Sequence, residues 1–194
     1  MMGWYLAIVA AICLLAFTLV LRSRAALPSV GSVAPEFKLI SQEGNPCALR
    51  NYRGQWIVLY FYPRDLTPGC TIEARNFQAD QAQYCKRNAV ILGVSVDSPE
   101  SHGKFCGKEG LDFTLLADTA GQVSKSYGSL MNLGVVKFSS RNTFLIDPQG
   151  NIARVFTGVQ PHQHSREVLA SLDELQAAAQ DKAAEAHSLP PAGG

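Results

Sequence analysis

A surplus of charge of either sign is the first thing missing from this chain of 194 residues: 17 Lys and Arg stand against 16 Asp and Glu, a net charge of +1. So even a balance offers no basic surface for nucleic acid and no acidic block of the kind found in charged disordered tails. No segment repeats at a fixed period, which excludes a solenoid or a propeller. The five cysteines, at 13, 47, 70, 85 and 106, include no Cys-x-x-Cys pair and no regular disulfide framework, which excludes a stapled secreted module. What remains is a single globular domain with appendages.

The first appendage is Trp4–Leu21, apolar apart from Thr18. It is long enough to span a bilayer at the short end of the range. Trp4 and Tyr5 suit one interface, and Arg22 and Arg24 flank the other. A cleaved signal peptide is the rival reading, but a basic leader is missing and arginines directly follow the apolar run. The expectation is therefore a single-pass membrane anchor over residues 1–25, with the positive-inside rule keeping the catalytic domain in the cytoplasm. A Pro/Ser/Gly linker follows over 26–32, then a domain over 33–178, then a disordered tail over 179–194 rich in Ala, Gln, Pro and Gly.

Within the domain, Phe37–Ile40 and Cys47–Leu49 flank a Gly-Asn turn and predict a hairpin. Trp56–Tyr62 is a run of seven β-branched, aliphatic and aromatic residues, as expected of a strand buried on both faces. The turn formers of 63–69 end it, and a helical pattern from about Thr67 to Arg87 follows, with Cys70, Ala74, Phe77 and Tyr84 on one face. Ala89–Val96 predicts a second buried strand. Ser98-Pro99-Glu100 supplies an N-cap, a proline at the first helical position and an acidic first turn for a helix ending near Gly110. A short strand at 113–117, a helix from Asp118 to Tyr127, a hairpin over 142–146 and 152–156, and a last amphipathic helix complete the order. This is an α/β succession, a central sheet covered by helices on both faces, in which a right-handed crossover makes strands 56–62 and 89–96 parallel neighbours.

Cys70 falls where the first buried strand passes into its helix. Free N–H groups and the positive end of the helix dipole stabilise a thiolate there, and a thiolate is the nucleophilic form of cysteine. A buried cysteine is more often a small hydrophobe. Its neighbours change that balance. Pro63-Arg64-Asp65-Leu66-Thr67-Pro68-Gly69-Cys70, followed by Thr71-Ile72-Glu73 and, downstream, by Arg141-Asn142-Thr143-Phe144-Leu145-Ile146-Asp147, resembles the peroxiredoxin active-site pattern. Over about Gly31 to Leu175 the chain most resembles the Q-type, bacterioferritin-comigratory peroxiredoxins.

That resemblance implies a thioredoxin fold with an added N-terminal β-hairpin, and a thiol-dependent peroxidase acting on hydrogen peroxide and organic hydroperoxides with no cofactor. It implies Cys70 as the peroxidatic nucleophile, Thr67 as a hydrogen-bond partner of thiolate and peroxide, and Pro63 as a shield against bulk water. Arg141 would support the charge on sulfur and oxygen, and Glu73 would orient its guanidinium, a geometry lysine does not copy. Thioredoxin or a similar reductant is the implied partner, and a monomer or weak dimer the implied state.

The sequence departs from the family at one position that matters. Many Q-type relatives carry a resolving cysteine five residues after the nucleophile, where this chain has Arg75. Cys85 lies fifteen residues on, roughly 22 Å along the same helix, whereas a disulfide needs Cα atoms within about 7 Å. Cys106, in Ser101-His102-Gly103-Lys104-Phe105-Cys106, resembles the resolving cysteine of a Q-type subgroup, and Gly103 and Gly107 weaken its helix. An external thiol resolving Cys70 is the alternative. A membrane-anchored thiol–disulfide oxidoreductase would need cysteine at 67, where Thr67 stands, and a non-enzymatic binding module would not need Cys70. Cys13 and Cys47 have no chemical setting, and His162-x-His164 lacks the further ligands of a metal site.

Overall fold

The computed structural model of the chain describes residues 25–188. Nine strands and four α-helices occur among them: β1 (Lys38–Ser41), β2 (Pro46–Ala48), β3 (Trp56–Phe61), α1 (Pro68–Lys86), β4 (Ala89–Ser95), α2 (Pro99–Glu109), β5 (Thr114–Ala117), α3 (Gln122–Ser126), β6 (Leu130–Asn132), β7 (Lys137–Ser139), β8 (Asn142–Ile146), β9 (Ile152–Thr157) and α4 (His164–Ser188). Seven strands form one mixed sheet in the order β2-β1-β5-β4-β3-β8-β9, while β6 and β7 make a separate hairpin.

β3 lies at the heart of the sheet, every residue of it buried, parallel to β4 and antiparallel to β8. Because β3, β4 and β5 step across the sheet in one direction, right-handed crossovers put α1 and α2 on the same face. There the alternate β3 residues Val58 and Tyr60 pack with Ala74 and Phe77 of α1, Phe105 of α2, and Val168 and Leu172 of α4. The opposite face buries Ile57, Leu59 and Phe61 against Phe144, Tyr127 and the approach segment around Ala34 and Phe37. Among the described residues that side is covered by the five-residue α3 and the single 3-10 turn Leu49–Tyr52, so the helical cover is uneven.

Several boundaries match the sequence expectation for local reasons. The Ser98 hydroxyl accepts from Ser101 N at 3.3 Å, and Gly110 ends α2 in the left-handed conformation at φ 64°. Others differ. The helix expected from Asp118 is only Gln122–Ser126, because the Asp118 carboxylate reaches forward to accept from Val123 N and Ser124 N across a turn at Gly121. The 26–32 stretch is tied to β9, with Gly31 N donating to Ile152 O and Ile152 N to Ser32 O. Helix α4 runs to Ser188, past residue 178.

The expectation of a membrane-anchored, single-pass protein with a cytoplasmic catalytic domain is corrected. Among the described residues no helix is long and apolar enough to cross a membrane. The two long helices carry charged and amide side chains throughout, such as Glu73, Arg75, Asp80 and Lys86 on α1 and Glu167, Asp173 and Glu174 on α4, each costly to desolvate in hydrocarbon. The segment 4–21 on which the expectation rested lies outside the described residues.

Candidate active site

Strand β3 delivers the chain to the edge of the core at Tyr62, and Pro63 stops the strand. Leu66 then takes a left-handed backbone, φ 59°, which a branched non-glycine residue adopts only under constraint. That turn aims the chain into α1, capped at Thr67 in an extended conformation with Pro68 at the first helical position. Cys70 is the third residue of the helix, 1% exposed.

Arg141 arrives from the other end of the sequence through register. Antiparallel pairing sets Phe61 opposite Asn142, so the residue before β8 lies beside the end of β3 from which the Cys70 turn departs. Its guanidinium forks. Nη2 donates to Cys70 Sγ at 3.3 Å, and Nη1 donates to Glu73 Oε2 at 2.5 Å. The fork fixes the direction from which the donor meets the sulfur.

Glu73 is 1% exposed, and its Oε1 has no partner. Burial and pairing therefore compete. Burial pushes the carboxyl up, Arg141 pulls it down, and burial wins, leaving it at about 7. The unpartnered oxygen explains why the ion pair does not offset the loss of water.

The remaining expected residues are placed as follows. The Thr67 hydroxyl is half-buried and donates to Arg64 O at 3.1 Å rather than to sulfur, while its carbonyl accepts from Thr71 N. Pro63 lines a cleft of about 670 Å³ with Arg64, Val136 and Phe138, and Arg141 borders another of about 450 Å³ with Ser140 and Gly158. Cys106 is buried in the same apolar cluster as Cys70, both reduced. Burial, followed by the charges of Asp65, Glu43 and Asp112, pushes the Cys106 thiol up to about 11. Thus Cys70, Arg141 and Glu73 form one connected chain of contacts; Thr67 and Pro63 lie beside it, and Cys106 lies on the neighbouring helix.

Four residues belong to this neighbourhood that sequence reasoning did not single out. A Cβ on Gly69 would sit 2.8 Å from Arg141 Nη2, so the guanidinium reaches sulfur only because residue 69 has no side chain. Within the turn the glycine looks like a turn former, and nothing local announces a contact with residue 141. Tyr60 stands in the same cluster with its buried hydroxyl unpartnered; burial, then the charges of Glu73, Cys70 and Cys106, keeps it a neutral phenol. Asp65 and His102 form a buried pair, Nδ1 to Oδ2 at 2.9 Å, joining the Cys70 turn to α2. His164, by contrast, is a core residue: Nε2 lies 2.7 Å from Thr143 Oγ1, and burial pushes the imidazole down to about 4.

Known proteins resemble this chain in sequence and in fold. The AhpC/TSA family profile matches residues 30–155. Peroxiredoxin Bcp of Bacillus subtilis is 38% identical over 150 residues, which cover 75% of this chain and 96% of that protein. The crystal structure of peroxidoxin BcpB from Mycobacterium tuberculosis superposes with a TM-score of 0.72 at 29% identity, covering 76% of this chain and 97% of that one. A structure of the Xanthomonas campestris bacterioferritin comigratory protein, described for its alkyl peroxide reduction activity, has a TM-score of 0.68 at 34% identity, over 77% and 98%. The mixed α/β sheet is that of a thioredoxin-type fold, and the chain belongs to the AhpC/TSA family as a peroxiredoxin of the Bcp/Q type, a thiol-dependent hydroperoxide reductase.

Proposed function

We propose that Cys70 is the peroxidatic thiolate, that Cys106 resolves its oxidised form within the same chain, and that a thioredoxin-type protein reduces the resulting disulfide. The observation that carries the first part is the Arg141 fork, one nitrogen 3.3 Å from Cys70 Sγ and the other on the buried Glu73 carboxylate. In the reaction, sulfur attacks the nearer peroxide oxygen. The S–O bond forms as the O–O bond breaks, sulfur gives up two electrons, and the departing oxygen takes a proton to leave as water or alcohol. Negative charge spreads over both oxygens in that transition state, so a donor already fixed beside the sulfur stabilises it without reorganising. Thr67, half-buried at the cap, offers its hydroxyl oxygen to the incoming peroxide, and Pro63 keeps water from that side. Organic hydroperoxides are included among the substrates because the Xanthomonas relative is described as reducing alkyl peroxides.

Cys70 then carries a sulfenic acid. Cys106 Sγ attacks that sulfur, an S–S bond replaces the S–O bond, and hydroxide leaves with the Cys106 proton as water. Support for Cys106 comes from its burial in the Cys70 cluster and from the alternatives: Arg75 occupies the usual resolving position, and Cys85 is exposed near the far end of α1. With its thiol pushed up to about 11, Cys106 is inert until α2 loosens. Reduction of the finished disulfide by a dithiol protein is ordinary thiol–disulfide exchange.

A thioredoxin-coupled peroxidase assay tests the reading. Cys70→Ser is expected to lose turnover, and Cys106→Ser to consume one equivalent of peroxide and then stall with thioredoxin as the sole reductant. Recycling of Cys106→Ser at the wild-type rate would overturn the resolving role and assign that step to an external thiol.

A further inference from the structure

We propose that the buried cluster of Asp65, His102 and Tyr62 is a latch between the Cys70 turn and the Cys106 helix, and that its opening sets the rate of the resolving step; this rests on Cys106 being the resolving cysteine. Asp65 ends its side chain among donors. Tyr62 Oη donates to Oδ1 at 2.7 Å, Ser101 Oγ to Oδ2 at 2.7 Å, and His102 Nδ1 lies 2.9 and 3.1 Å from the two oxygens. Its backbone N–H donates to Asp97 Oδ2 at 2.9 Å, an oxygen that also accepts from Ser95 Oγ. Asp65, His102 and Tyr62 are all buried, and hydrogen bonds to a desolvated carboxylate are the strong ones.

The position of this cluster gives it a task. Asp65 lies five residues before Cys70, and the next residue, Leu66, holds the left-handed backbone that turns the chain into α1. His102 lies four residues before Cys106, on the same face of α2 one turn away. A single carboxylate therefore ties down both the turn that presents one sulfur and the helix that carries the other. At its far end, away from the Cys70 turn, α2 is held by a separate pair, Arg75 Nε to Glu109 Oε2 at 2.6 Å, with the arginine exposed and the carboxylate buried. Parting α2 from the Cys70 turn thus means breaking the bonds to Asp65 first. His102 Nε2 is buried without a partner, a cost of the closed arrangement that exposure to water removes. The hydrogen-bond partner of the Cys70 sulfur is Arg141 and none of these three; Tyr62, Asp65 and His102 act by holding the segments that carry the two sulfurs, as positioning residues.

The test separates the two chemical steps by rapid mixing with peroxide, followed by quenching and peptide mapping. In His102→Leu the Cys70–Cys106 disulfide is expected to form about tenfold faster, the weight of one hydrogen bond to a charged group, with the yield of Cys70 sulfinic acid under excess peroxide falling in step. The rate of the first oxidation is expected to change by less than about twofold. His102→Asn, whose amide nitrogen stands where Nδ1 stood, is expected to restore the wild-type partition, which a merely destabilising change would not. Unaltered or slower disulfide formation in His102→Leu, or an Asn variant that behaves like the Leu variant, overturns the latch. Should His102→Leu not fold, hydrogen exchange on the wild type decides: the amides of Asp65 and of Ser101 and His102, hydrogen-bonded in the closed structure, are expected to lose protection together on oxidation, and retained protection at either place overturns it. A wild-type protein that forms no Cys70–Cys106 disulfide overturns the resolving assignment and the latch together, whereas a normal disulfide with unchanged kinetics in the variant overturns the latch alone.

Discussion

Cys70 and Cys106 are buried in one apolar cluster, 1% and 8% exposed, yet the charges around them have opposite sign. Cys70 has a guanidinium nitrogen 3.3 Å away. Cys106 is surrounded at longer range by Asp65, Glu43 and Asp112, which add to burial in keeping its proton on. Burial alone would make both inert. In the proposed reaction the nucleophile is set apart from its resolving partner by the charge beside the sulfur, and Arg141 donates to Cys70. The same contrast extends to the local backbone. Cys70 sits at a junction fixed by a proline, a constrained backbone and an ion pair, whereas Cys106 sits on a helix with glycines on both sides.

The contrast is broken most strongly at Arg141. In Arg141→Lys the point charge remains but the fork is lost, and the rate constant for Cys70 oxidation by hydrogen peroxide, followed by stopped flow, is expected to fall about 10²-fold. A rate within threefold of wild type would mean that charge near the sulfur suffices without direction.

A smaller effect concerns Glu73. Its carboxyl binds a proton more tightly in the folded protein, at about 7, than in the unfolded chain, near 4.5. Between these values the native state holds more protons, so stability falls as pH rises through the interval and flattens above it. The total is on the order of 3 kcal/mol. Urea unfolding of Glu73→Gln at pH 5 and pH 8 is expected to lack that decline, and an identical pH slope in variant and wild type would show that the pair with Arg141 outweighs burial.

The smallest effect sharpens the difference in backbone. A Cβ on Gly107 meets nothing within 4 Å, so Gly107→Ala fits without displacement and is expected to stabilise α2 by about 1 kcal/mol. The melting temperature should rise by a few degrees while disulfide formation slows about fivefold. A stabilised variant with an unchanged disulfide rate would mean that α2 does not loosen for resolution.

Much of this arrangement was legible from local pattern. The β3 run, the break at Pro63, the helix from Pro68 and the cap at Ser98 each follow from neighbouring residues, and together they place Cys70 at a strand-to-helix junction. The pairing of Arg141 with Cys70 came from family resemblance, since no local signal spans 71 residues. The need for glycine at 69, the orphaned Glu73 oxygen and the Asp65–His102 pair were not legible, because each is a property of two or three segments meeting. The β6–β7 hairpin is not evident in the sequence for another reason: each strand is three residues long, too short to set a period, and the apolar Leu133, Val135 and Val136 at its tip are exposed. The apolar run 4–21 alone carries the expectation of a membrane anchor, and no described helix is long and apolar enough to cross a membrane.

The central claim, that Arg141 makes Cys70 and not Cys106 the site of first attack, is tested most directly by locating the first oxygen. The Cys106→Ser protein and its Cys70→Ser counterpart are each mixed with one equivalent of hydrogen peroxide in the presence of dimedone, and the adduct is mapped by mass spectrometry. The account predicts near-complete sulfenic acid adduct on Cys70 in the first protein and unmodified Cys106 in the second. An adduct on Cys106 in the second protein, formed as fast as that on Cys70 in the first, would contradict it.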